Sequence, residues 1–174
     1  MINTRRLILR LWREADREPF ARLNADPLVM RYFPACLTHA ESNSMVDRIH
    51  AHYKTHGFTL YAAERRDTGD FIGFVGLAVP AFHAHFTPCV EIGWRLAAAH
   101  WNQGFATEAA QAVLHHAFGF LGLPEVVAFT VPANLPSRRV MEKAGMQYDC
   151  EFDHPRLAEG HALRRHVLYR IANK

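Results

Sequence analysis

With 174 residues, 49% hydrophobic and 21% charged, the chain has the make-up of one soluble globular domain over residues 1–174 and is short for two. Its net charge of +3 with histidines neutral is too weak to argue for a nucleic-acid partner. Cys36, Cys89 and Cys150 are odd in number, far apart and without a C-x-x-C pair, which speaks against a disulfide framework or a structural zinc site.

The opening "MINTRRLILRLWREAD" carries early arginines, but Arg10 and Arg13 break its apolar run. It reads as neither a signal peptide nor a membrane span, so a cytoplasmic location is expected. "RLILRLW" places Leu7, Leu9 and Leu11 on one face, as in a strand. "READREPFARLNADP" predicts a short helix stopped by Pro27. In "THAESNSMVDRIHAHYKTHG", Thr38 and Glu41 stand at capping-box spacing, Met45, Ile49 and Tyr53 recur every four residues, and Gly57 supplies the stop. "FTLYAAERR" and "FIGFVGLAV" flank "DTGD" as a hairpin. After the aromatic loop "AFHAHFTP", the segment "CVEIGWRL" predicts a further strand, in which Val90, Ile92, Trp94 and Leu96 alternate with Glu91, Gly93 and Arg95.

Ala106, Ala110, Val113, Leu114, Ala117, Phe118 and Leu121 mark the buried stripe of a helix that Gly122 and Pro124 end. "EVVAFTV" is a strand, "PSRRVMEKAG" a short helix, and "MQYDCEFD" and "LRRHVLYRI" are closing strands. The order is strand, two helices, three strands, helix, strand, helix, two strands. This is an α/β or α+β domain with a mixed sheet.

Three places carry candidate chemistry. In "HWNQGFATEAA" a strand runs through a turn into a helix, whose first amides have no partner within the helix and sit at its positive end. Small residues such as Gly104 and Ala106 let a phosphate approach those amides; a turn hydrated by water fits the same spacing. The absence of G-K-[ST] excludes a P-loop, and the three-glycine dinucleotide pattern is missing. Gly93 marks a bulge, a close approach or a packing position under Trp94. Glu91 shares its face and is either a general base or the partner of a salt bridge or wet surface. Downstream, Ser137 is placed to cap the next helix and Asn134 to stabilise the turn before it. The pairs His83/His85 and His52/His56 lack a third ligand, so no metal is expected.

"VEIGWRLAAAHWNQGFATEAA" followed by "VPANLPSRRVMEKAGM" resembles the GNAT acetyltransferase superfamily, and within it the ribosomal-protein N-terminal (serine/alanine) acetyltransferases. "TRRLILRLWREADREPFARLNADPLVMRYF" is similar to that branch's first strand and helices and "TGDFIGFVGL" to its hairpin, so the resemblance runs to about residue 152. It implies a central mixed, mostly antiparallel sheet splayed after the fourth strand, with helices on both faces. It also implies acetyl-CoA in the split. Pantetheine would lie along Trp94, Arg95 and Leu96, and the pyrophosphate on the amides of Gln103, Gly104, Phe105, Ala106 and Thr107. Asn134 would bond the pantetheine arm.

Many members carry a tyrosine on the last helix that protonates the leaving thiolate. The matching Met141 cannot do so, and Ser137 stands as the substitute. Trp101 matches the branch, whereas Asn102 departs from it.

The reading is an N-acetyltransferase acting by direct transfer in a ternary complex, with Glu91 as base and Ser137 as acid. Its partners are acetyl-CoA and an amine acceptor, either a protein N-terminus or a small molecule, with no nucleic acid, membrane or metal. The chain would be a monomer or homodimer. The rival is a non-catalytic acyl-CoA sensor. Acceptor choice would be set by residues 30–57, 81–88 and 153–163.

Overall fold

The chain enters through β1 (Ile2–Asn3) and β2 (Leu7–Arg10), where Leu7 and Leu9 are fully buried. This computed structural model describes residues 1–173. Next come α1 (Arg17–Ala25), α2 (Pro27–Met30) and α3 (His39–His56). Pro27 does more than stop a helix. Asp26 leaves α1 in an extended conformation and its carboxylate accepts the Leu28 amide, so Pro27 opens the next helix. At the start of α3 the Thr38 hydroxyl accepts from the Glu41 amide and the Glu41 carboxylate accepts from the Thr38 amide, as the spacing predicts. The buried stripe of α3 is Ser42, Val46 and Ile49; Tyr53, expected on it, is 37% exposed.

The remaining elements are β3 (Leu60–Arg65), β4 (Phe71–Ala78), β5 (Glu91–Leu96), α4 (Phe105–Gly119), β6 (Glu125–Thr130), α5 (Leu135–Lys143), β7 (Gln147–Asp153) and β8 (Arg165–Ala172). The sheet runs β1-β2-β3-β4-β5-β6-β8-β7. Every neighbouring pair is antiparallel except β5 and β6, which are parallel. Among the described residues their ladder pairs only Glu91 with Val127. Past that point, toward Leu96 and Thr130, the strands part. The expected fourth strand is β5, and β1 is an addition the sequence reading did not contain.

Two layers cover the sheet. One face packs α4 and α5 through Val113, Leu114, Ala117 and Met141 against Val75, Leu77, Val126 and Val167. The other packs α1 and α3 through Phe20, Leu23, Val46 and Ile49 against Ala62 and Phe74. Beyond the split that second face carries an aromatic cluster built on Phe86, Val127, Phe152 and Leu168. Gly73 in β4 has φ +133°, and a Cβ there would meet the Arg95 carbonyl oxygen at 2.1 Å, so β4 and β5 approach as closely as they do only because the residue is glycine.

Candidate active site

The turn that feeds α4 is exposed from Trp101 to Gly104. Asn102 and Gly104 have positive φ, 59° and 80°, which swings the chain round so that α4 begins at Phe105. No side chain caps that helix; Glu108 N–H bonds the Gly104 carbonyl at 3.0 Å, and the amides before it are left without helical partners. Trp101 Nε1 donates to the Leu96 carbonyl at 2.7 Å and Gln103 Nε2 to the Ala99 carbonyl at 2.9 Å, fixing the turn to the end of β5.

Sequence reasoning missed Arg6. Its Nη1 donates to the Gln103 carbonyl at 2.8 Å, its Nε to Glu108 at 2.7 Å, and its guanidinium lies 4.4 Å over the Phe105 ring. Glu108 also accepts from Thr4 Oγ1 and the Arg6 amide. Burial works against the Glu108 charge, but these hydrogen bonds and the Arg6 cation outweigh it and hold the carboxyl below its usual range. The one acid in the first turn of α4 is thereby neutralised locally, and the helix start stays suited to an anion. The partners are about a hundred positions apart, so no local pattern could have announced them.

Glu91 sits where β5 and β6 part, on the face shared with Val127. Part of the residue meets solvent, yet its carboxyl is enclosed by protein, and burial pushes it up to about 7 against the opposing pull of Arg156. Arg156 Nη2 donates to the Ala81 carbonyl at 2.7 Å, tying the tail to the loop before β5. Phe82 packs against His154 at 4.7 Å and Phe86 against Phe152 at 4.8 Å. Burial, then the charges of His166 and Arg156, bring His154 down to about 4, so it is neutral beside Phe82 near neutral pH. His83 and His85 are exposed. The His52 nitrogens are both engaged: Nε2 accepts from Val79 N–H at 3.0 Å, which leaves Nδ1 to donate to the Phe58 carbonyl at 2.9 Å.

Two of the three readings of Gly93, a bulge and a packing position under Trp94, fail. The β4–β5 register runs through it without a bulge, and a Cβ there would meet nothing nearer than a Leu60 methyl at 4.0 Å. The third reading, a close approach by a ligand, is left standing, since no other atom among the described residues comes as near to that position.

Along β5 the Val90 carbonyl accepts from Val127 N–H at 2.9 Å. Strand alternation turns the N–H and C=O of Trp94 to that same side, where β6 has moved away. The Trp94 indole lies on the other face of the sheet from Glu91, and its Nε1 donates to Ser137 Oγ at 3.3 Å. Leu96 is in the core and its carbonyl is taken by Trp101. Arg95 is buried on the α1–α3 side, where its Nη1 donates to Asn24 Oδ1 and Phe33 and Phe74 flank the guanidinium at 4.1 and 5.5 Å. Burial brings its pKa down to about 10.

The expected cap of α5 was misplaced. Asn134, not Ser137, is the N-cap: its Oδ1 accepts from Ser137 N–H at 3.4 Å and its Nδ2 donates to Thr130 Oγ1 at 2.9 Å. Pro136 lies between them in the first turn of the helix, so the cap sits three residues upstream of the serine. Asn134→Ala should therefore cost about 1 kcal/mol in urea denaturation, and Ser137→Ala much less; the reverse order would restore the cap to Ser137. Met141 is buried in the core, 2% exposed.

The sequence model of the acetyltransferase (GNAT) domain matches residues 6–147. The uncharacterised N-acetyltransferase YnaD of Bacillus subtilis is 31% identical over 84% of this chain and 82% of its own length. A GNAT-family acetyltransferase from Bacillus anthracis superposes with a TM-score of 0.81 at 27% identity, over 98% of this chain and 97% of its own. Mycobacterium smegmatis RimJ in complex with CoA-disulfide shares the fold, with a TM-score of 0.76 at 22% identity over 95% of this chain and 81% of its own. A split sheet with a bare helix start beside it, matched by the family model over most of the length, makes this chain a member of the GNAT family and an acetyl-CoA-dependent acetyltransferase.

Proposed function

We propose that the protein transfers the acetyl group of acetyl-CoA to a primary amine, the α-amine of a protein N-terminus or a small molecule, by direct attack in a ternary complex. The observation that carries this reading is the position of Glu91: an enclosed carboxyl with a pKa of about 7, at the point where β5 and β6 separate. Acetyl-CoA brings an activated acyl group, and the protein supplies orientation and electrostatics. The amides from Gln103 to Thr107 hold the pyrophosphate. The backbone of Trp94, Arg95 and Leu96 edges the pantetheine, with the Trp94 N–H aimed at the thioester carbonyl and Asn134 on the arm. Glu91 takes a proton from the amine, directly or through one water. Ser137 Oγ accepts from the Trp94 indole, which leaves its own proton to be donated to the departing sulfur.

Release of free thiol, measured across a panel of amines and N-terminal peptides, tests the reading. A protein that binds acetyl-CoA but releases no thiol with any of them is a sensor instead. Ser137→Ala should lower kcat about 10-fold and leave acetyl-CoA affinity nearly unchanged. Unaltered turnover would remove the serine from the mechanism.

A further inference from the structure

Among the described residues two arginines are buried, and they are treated differently. Arg10, 5% exposed, is gripped by the Asp16 carboxylate at 2.7 and 2.8 Å and by Glu64 at 2.6 Å. Among the described residues no carboxylate bonds Arg95, 8% exposed: its Nη1 donates to the neutral Asn24, and its buried Nε has no acceptor. Asn24 is itself held by its Nδ2 donating to Ser42 Oγ at 2.9 Å, so the amide that positions the guanidinium is fixed from behind. A buried cation without a counter-charge is costly unless an anion completes it. The orphaned Nε belongs to the edge of the guanidinium that receives a carboxylate with two parallel hydrogen bonds. Phe74 lies on the sheet beneath, and Phe33, 38% exposed, covers the group from the irregular segment before α3.

Arg95 also stands in line with the proposed base. Glu91, Gly93 and Arg95 share one face of β5, and at the middle position an added Cβ would meet only a Leu60 methyl, 4.0 Å away. The outer two are four positions apart along the strand, roughly 13 Å between their Cα atoms.

We infer that this row is the acceptor site and that Arg95 recognises a carboxylate on the acceptor, the substrate being an amine whose carboxylate lies several bonds away. The inference rests on the acetyl-transfer reading above. A single cation matches the single charge of a carboxylate; a dianionic phosphate would leave charge uncompensated in the same enclosure. α-Amino acids hold amine and carboxylate too close together to meet both ends of the row.

The test compares 6-aminohexanoate with 6-aminohexanamide, two amines whose reacting ends are alike. The acid should be acetylated with a kcat/KM at least ~10-fold higher, the scale of a charge-assisted two-pronged contact. Glycine and glycinamide should show no such preference. In Arg95→Gln the acid-to-amide ratio should collapse toward one, whatever the absolute rates. A second measurement needs neither a variant nor turnover. Hexanoate titrated into the native protein should shift the Arg95 Nε–Hε resonance, and hexanamide should leave it in place. Equal kcat/KM for the acid and the amide, or a resonance that hexanoate does not move, overturns the inference. If no amine is acetylated at all, the acetyl-transfer reading falls while the titration still decides whether Arg95 binds a carboxylate.

Discussion

Gly104→Glu should bind acetyl-CoA at least ~100-fold more weakly than the native chain, because a like charge set against a phosphate costs several kcal/mol. The new carboxylate would stand at the start of α4, where the amides are bare and the residue is exposed. Arg6 is the nearest cation to an added Cβ, its Nη2 at 3.3 Å, and its other nitrogens are already spent on Gln103 and Glu108. Nη2 can meet the new carboxylate, but the cation is already shared with Glu108, so the turn still gains a net negative charge. Backbone strain contributes separately, since φ at this position is +80°. Gly104→Ala isolates that part: it should cost about 1–2 kcal/mol of stability while shifting affinity far less. Calorimetric titration of both variants with acetyl-CoA separates charge from strain. If the glutamate variant binds as tightly as the native protein, the phosphate does not sit at this turn.

Local pattern carried the elements well, and it failed where partners are far apart in the chain. The capping box at Thr38 and Glu41 was readable because both halves of the motif lie within one turn. The parting of β5 and β6 was not: nothing in "CVEIGWRL" or "EVVAFTV" says that their pairing ends at Glu91 and Val127, and that expectation came from resemblance alone. Ser137 illustrates a near miss. A serine after a proline looks like a cap, but Asn134 two places before that proline makes the same contact from the position the helix uses. Arg95 was legible as a strand residue and silent as a cation. Its lack of a counter-charge depends on what α1, α3 and the segment carrying Phe33 bring to it, and a sequence does not show a missing partner.

Glu91→Gln should lower the maximal rate about 100-fold at neutral pH, within the range for loss of a general base. A primary amine with a pKa near ~10 is almost wholly protonated at neutral pH and cannot attack until a base takes its proton. With its pKa at about 7, Glu91 is protonated on the acid side and becomes an effective base as pH rises through that value. The native rate should therefore climb through pH 7. In the glutamine variant that limb is absent, and the rate rises only with the free-amine fraction, so the two profiles converge in alkali.

The same shift has a consequence for stability, with its own sign. The folded carboxyl holds its proton more tightly than the ordinary 4.5, so between about 4.5 and 7 the unfolded chain gives up a proton that the folded chain keeps. Raising pH through that window costs the native protein stability. Glu91→Gln escapes this loss and should be the more heat-stable of the two at pH 8, with the difference narrowing toward pH 4. Acetyl-CoA affinity should hardly move, because the residue lies away from the helix start that receives the pyrophosphate. Rate profiles with one acceptor and melting curves at both pH values complete the test. A glutamine variant that turns over at full rate yet melts higher at pH 8 would leave Glu91 a strained buried acid and hand proton removal to another group.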